Sequence, residues 1–297
     1  MDVRDLRAGD VLLFSPEKGS WISKAITWLT DAPVSHAAMT YQIATKIIEE
    51  TPPAVRVAEA TLRFVDRTIS VMRFNKPVDS FAPVMNIATG YLNKQEPYAM
   101  SNLYLIGMLL IYKKFTPSDP VQRVTLKILK KLTAKIISAI NEHQFPNKMP
   151  MVCSQFVFEC YQEAGRNYHL TIKGGNLAAS NKRTNLLFHA YNHQYPDIDL
   201  LHNSENHASD EELAKELYTQ LSSEQLLASG AISSDILNAI HEFAKALHAV
   251  ANNTSYQLAD SKKGIAILEA QSSLFVTPGD LLQHCPELDH IGDIKIK

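Results

Sequence analysis

The residue of this sequence best suited to covalent chemistry is Cys153, in the segment Pro150-Met-Val-Cys-Ser-Gln-Phe-Val-Phe-Glu-Cys-Tyr-Gln-Glu-Ala-Gly165. A helix is expected to begin near Met151 and to run to about Ala164, with Gly165 as its C-terminal stop. That places the sulfur at a helix N-terminus, where unpaired N–H groups and the positive dipole end favour the thiolate, the nucleophilic form. The backbone N–H groups of Cys153 and Ser154 are the expected donors to an oxyanion formed on an attacked carbonyl. Such a thiolate needs a base, normally a histidine, and the histidine needs an orienting acceptor. His36, within Val34-Ser-His-Ala-Ala38, and Glu59, within Val57-Ala-Glu-Ala60, fit those roles. Both fall mid-strand among small apolar residues, where a polar side chain is costly unless paired, and adjacent strands would bring them together. Taken singly, each has a plain structural reading: a core thiol, a satisfied core histidine, a half-exposed glutamate.

The elements that must position these residues are legible in outline. Val11 to Phe14 reads as a short buried strand after the Gly9-Asp10 turn signal. Residues 34–43, 55–60 and 68–73 read as further strands, and Ser20 to Leu29 as a short helix carrying Trp21 and Trp28. Residues 80–140 read as helical, with apolar residues at 121, 124, 128, 132, 136 and 140. Beyond Gly165 the chain becomes loop-like to about 207, with a short helix near Leu186 to Tyr191. Helices follow at Ser209 to Leu221 and Ile232 to Val250, and strand character returns at Ser273 to Thr277 and Gly292 to Ile296. Residues 200–268 hold nine Asp/Glu against four Lys/Arg and read as an acidic inserted subdomain.

Composition narrows the function classes. Twenty-nine Lys/Arg against 31 Asp/Glu give a net charge of −2, which argues against nucleic acid as a partner. The 45% apolar and 20% charged fractions are those of a globular chain. Three cysteines, Cys153, Cys160 and Cys285, are too few and odd in number for a disulfide framework. Cys160 reads as a core thiol, and Cys285 has no assigned role. The N-terminus lacks the pattern of a secretory signal. The longest apolar run, Leu103 to Tyr112, is far short of the ~20 residues a membrane-spanning helix needs. The expected location is the cytoplasm, or outside it by a route independent of a signal peptide.

The order of these motifs resembles the circularly permuted papain-fold cysteine hydrolases of the NlpC-like superfamily, in particular the YiiX-like branch. The matching segments are Asp5-Leu-Arg-Ala-Gly-Asp-Val-Leu-Leu-Phe14, Ser35-His36, Val57-Ala-Glu-Ala60, Cys153-Ser-Gln-Phe-Val157 with Ala164-Gly165, and Phe275-Val-Thr-Pro-Gly-Asp-Leu281. Tyr98 is similar to a further family position. The resemblance covers about 1–165 and 272–297. It implies an α+β fold, a permuted papain-like domain with a small antiparallel sheet or barrel packed on helices. It implies Cys153 as nucleophile, His36 as general base and acid, and Glu59 as the orienting third member. The domain would span 1–170 and 270–297, with 171–269 as a loop-rich and helical insertion.

The resulting expectation is a cysteine hydrolase or acyltransferase that opens an amide or ester bond through a thioester. The alternatives are a non-catalytic lipid, small-ligand or partner-binding protein on the same fold, and a cell-wall peptidase. Tyr98, Trp28 and Tyr41 are the expected substrate-lining residues. No cofactor and no metal is expected, and His189 and His193 read as structural or surface histidines. The segment 113–135, with seven Lys/Arg and one acid, suits contact with a membrane surface or an ordinary solvated helix face. The acidic insert suits a protein partner. Asp10 reads as a turn former.

Overall fold

The computed structural model of the protein describes residues 1–96, 98, 100–114, 117–141, 151–177, 186–195, 209–222, 231–270 and 272–296. The chain is α+β. Six strands, β1 (Val11–Phe14), β2 (His36–Thr40), β3 (Lys46–Thr51), β4 (Ala54–Glu59), β5 (Thr68–Phe74) and β6 (Leu288–Lys295), form one antiparallel sheet. Their order is β4-β3-β2-β1-β5-β6. The sheet is therefore open, with β4 and β6 at its edges, and is not a closed barrel. Eleven α-helices lie among the described residues.

Contacts divide the chain into two compact units. The first comprises Met1–Leu103, Met149–Ala179 and Ser273–Lys297; the second comprises Tyr104–Lys148 and Ser180–Ser272. In the first, the four-residue run of β1 is buried on both faces, as expected of a central strand. One face, carrying Val11, Leu13, Ala37, Met39 and Ile48, is covered by α6 (Cys153–Glu163) through Phe156, Val157, Cys160 and Tyr161, and by α3 (Ala82–Asn93). The other face gathers Leu12, Phe14, Ala38, Ile47, Phe64 and Ile69. Gly9 precedes β1 with φ +89°, and a Cβ there would lie 2.4 Å from the Phe81 ring, so the turn needs glycine. Asp10 is buried and receives Nε and Nη2 of Arg73 at 2.7 and 2.6 Å, besides the Arg7 N–H.

The second unit is helical in its described residues. It contains α5 (Asp119–Asn141), α7 (Leu186–Asn192), α8 (Asp210–Ser222), α9 (Ser234–Ala251) and α10 (Ser261–Ala270), with α5 packed on α8 and α9. The sequence reading placed residues 113–135 in the first domain. The structure groups them with the helices of the insert, because the stripe Val121, Val124, Ile128 and Leu132 is buried there. No helix among the described residues is long and apolar enough to cross a membrane.

Two element readings need correction. Lys46–Thr51 is strand β3, an element absent from the expected strands. Ser273 to Thr277 is not a strand: Ser272–Phe275 is a 3₁₀ turn, followed by α11 (Pro278–Gln283). A capping box explains the change, since Thr277 Oγ1 accepts from the Asp280 N–H while Asp280 accepts from the Thr277 N–H.

Candidate active site

Cys153 is the first residue of α6, and its N-cap, Val152, has extended backbone and no side-chain cap. The helix starts there because Val152 has extended backbone, and Cys153 to Phe158, Cys160 and Tyr161 are all buried along it. The Ser154 hydroxyl donates to the Val276 carbonyl at 2.7 Å, which ties the start of α6 to the segment leading into α11. The Cys153 side chain lies close to His36, the first residue of β2, near enough for the charge of each to bear on the other. The main-chain N–H groups of Ala37 and Ser154 lie nearby and favour the thiolate. Cys153 is 5% exposed.

The other side of the imidazole is fixed by Glu49, not Glu59. His36 Nε2 lies 2.8 Å from Glu49 Oε2, which leaves Nδ1 as the ring nitrogen for the sulfur. The Phe14 ring meets the imidazole edge-on, with centroids 5.2 Å apart. Glu49 is fully buried and heavily neutralised. Arg63 spans both its oxygens, Nε to Oε1 at 2.8 Å and Nη2 to Oε2 at 2.9 Å, and Arg56 gives Nε and Nη2 to Oε1 at 2.9 and 2.8 Å. This is the geometry that makes arginine a stronger carboxylate partner than lysine.

Each shift in proton affinity has a cause in this arrangement. Burial works against the Cys153 thiolate, but the His36 charge and the two nearby N–H groups outweigh it and hold the thiol below its ordinary value. Burial likewise opposes the imidazolium, but Cys153 and Glu49 raise His36 from 6.5 to about 9. Burial opposes the Glu49 carboxylate too, but His36 and Arg63 hold it well below the usual carboxylate range. The three groups therefore favour a thiolate–imidazolium pair at neutral pH, with Glu49 ionised behind it.

Glu59 was expected as the orienting acid. It lies opposite Lys46 in the β3–β4 register and is ion-paired with it, half exposed, away from His36. The physical reason is register. In β3 the side chains alternate, so Glu49 joins Ile47 on the face that carries Phe14, whereas Glu59 sits at the far end of β4. A signal for Glu49 was present in Lys46-Ile-Ile-Glu-Glu-Thr-Pro-Pro53. A β-branched pair followed by two acids and a diproline turn makes a hairpin with 54–59, and alternation forces one of the two acids inward.

The remaining expected residues are dispersed. Tyr98 forms a parallel bridge with Met151, two residues before Cys153, and its N–H donates to the Pro53 carbonyl at 3.0 Å. Tyr41 bonds Thr89 Oγ1 at 2.8 Å against the core. Trp28 is exposed on α1 (Trp21–Thr30). The Ser154 N–H, one of the two expected oxyanion donors, lies near the sulfur, where it favours the thiolate. All three cysteines are free and buried. Burial, then Glu287 nearby, pushes Cys285 up to about 12, the opposite of Cys153. His193 bonds Asn238, and no cluster of three or more potential metal ligands occurs among the described residues.

Comparison of the chain with protein-family models, with curated proteins and with solved structures gave no match.

Proposed function

We propose that the protein is a thiol hydrolase or acyltransferase of permuted papain-like fold, using Cys153, His36 and Glu49 on an amide or ester. One observation carries this reading: a cysteine at the first position of a helix lies beside a part-buried histidine whose far nitrogen is 2.8 Å from a fully buried carboxylate. The order histidine, acid, cysteine helix along the chain supports the family resemblance, with the acid moved from Glu59 to Glu49.

In the reaction so read, the Cys153 thiolate adds to the substrate carbonyl and His36 carries the proton. The imidazolium gives that proton to the leaving amine or alcohol as the tetrahedral adduct collapses to a thioester. His36, now neutral, takes a proton from water or an acceptor alcohol or amine, which attacks the thioester and releases Cys153. Glu49 stays ionised throughout, and Arg56 and Arg63 keep it so.

The test is mass-spectrometric trapping of the acyl–enzyme with an activated ester, on wild type beside Cys153→Ala. An acyl group on Cys153 of the wild type alone is the expected result. Equal acylation of the variant, or acylation of Cys160 instead, overturns the assignment.

A further inference from the structure

β3 places a second acid next to Glu49. Glu50 shares its face of the strand with Ile48, the face covered by α6, so it lies on the side of the sheet from which Cys153 approaches. Its side chain is completely buried, and neither carboxyl oxygen has a hydrogen-bond partner among the described residues. Its cross-strand neighbour is Val55, whose N–H donates to the Glu96 carbonyl at 3.2 Å, so the buried Glu96 arrives at the same spot. Among the described residues, the charged groups that bear on Glu50 are Cys153 from α6, Glu96 from the turn after α3, and His36 from β2. No lysine or arginine is among them, whereas Glu49, one residue away, holds two arginines.

A buried carboxyl with both oxygens unsatisfied is a liability that native structures remove or use. Burial, together with Cys153 and Glu96, raises Glu50 from 4.5 to about 9, so the free protein carries it as the neutral acid. The group that would satisfy both oxygens and offset two neighbouring anions is a cation with several N–H donors. The charge of Cys153 bears directly on Glu50, so a substrate that acylates the sulfur comes close to this carboxyl.

We propose that Glu50, flanked by Glu96, forms a subsite for the protonated amine of the substrate that acylates Cys153. The assignment rests on the thiol-acylation reading for its location, and it names the substrate class: acyl compounds bearing an ammonium group near the scissile carbonyl. On binding, Glu50 gives up its proton to solvent and pairs with the ammonium as carboxylate, so binding releases a proton.

The experiment compares the p-nitrophenyl esters of 6-aminohexanoate and heptanoate, which differ by an ammonium in place of a terminal methyl. Wild type is expected to favour the amino ester in kcat/KM by about tenfold or more, the scale of a hydrogen bond to a charged group. Glu50→Gln is expected to lose that preference while still being acylated by the heptanoate ester, and Glu96→Gln to reduce it. A ratio near one in wild type, or an unchanged ratio in Glu50→Gln, overturns the subsite. Calorimetry with hexylamine on Cys153→Ala protein, in two buffers of different ionisation enthalpy, keeps the two readings apart. Binding with proton release that Glu50→Gln abolishes supports the subsite even if neither ester acylates Cys153. Absence of binding overturns the subsite even if both esters do.

Discussion

In the first unit, Glu49, Glu50, Asp10 and His36 are carried on or beside a sheet whose central strand is fully buried. In the second, the charges of α5 lie on the outside of an apolar stripe, and Lys127 meets Glu216 of α8 at 3.6 Å with both side chains about half exposed. The acidic insert and the basic helix, opposite in charge along the sequence, thus include a pair that faces each other within one unit. The contrast is energetic. Exposed pairs like Lys127–Glu216 contribute little, about 0–1 kcal/mol, and serve solubility and pairing of helices. Buried charges cost several kcal/mol each unless paired, so a sheet that holds Glu49 ionised behind His36, and brings His36 and Glu50 near one cysteine, keeps them for what they do to that cysteine. Glu49 and Glu50 sharpen the point inside the first unit: one strand holds a carboxylate saturated with cations and a carboxyl with no hydrogen-bond partner among the described residues.

The comparison is broken most severely by removing the sulfur. Cys153→Ala is expected to cut any hydrolytic or acyl-transfer rate by about 10³-fold or more, the usual scale for a nucleophile, with circular dichroism unchanged. A loss of less than tenfold would mean that the buried charges do not converge on a reaction.

Next in size is the exchange of the two candidate acids. Glu49→Gln leaves His36, Arg56 and Arg63 without their common anion, and is expected to destabilise the fold by about 3–5 kcal/mol. It should also slow Cys153 alkylation at pH 7 as the imidazole loses its anchor. Glu59→Gln removes only a half-exposed partner of Lys46 and should stay within about 0.5 kcal/mol of wild type. Urea melts and iodoacetamide kinetics read both, and similar losses for the two variants would erase the distinction drawn between them.

The pH dependence follows from the histidine. Folding raises His36 from 6.5 to about 9, so its contribution to stability is complete below about pH 6.5 and disappears as pH rises through 9. Activity should fall over the same upper range, as the imidazolium that protonates the leaving group is lost. Glu50 adds to this from the opposite side. An acid raised from 4.5 to about 9 costs the fold nothing below pH 4.5 and progressively more toward pH 9. Glu50→Gln should therefore be more stable than wild type, by up to about 5 kcal/mol at pH 8 and by little at pH 4.5, on the scale of 1.36 kcal/mol per pKa unit. Thermal melts at the two pH values check the sign; a variant less stable than wild type at pH 8 would contradict it.

The smallest effect belongs to the second unit. Lys127→Ala should change stability by less than about 1 kcal/mol, and the change should shrink in high salt. A larger, salt-insensitive loss would mean that α5 uses its charges as the sheet does.

Sequence alone determined the features that depend on local pattern. The helix that starts at Cys153 and stops at Gly165, the buried run Val11 to Phe14, the strand carrying His36 and the amphipathic stripe of α5 each follow from spacing within one element. The periodicities of 3.6 and 2 residues are properties of the chain itself. Tertiary structure decided which acid meets His36. Glu49, Glu50 and Glu59 are all strand glutamates among apolar residues, and no local pattern ranks them. The register of β3 against β2 and β4, Met39 opposite Ile48 and Glu49 opposite Arg56, turns Glu49 toward the imidazole, Glu50 toward the cysteine helix and Glu59 toward Lys46. A shift of one residue in that pairing would exchange the roles of the first two, because side chains alternate across a sheet and only the neighbouring strands fix which face is which.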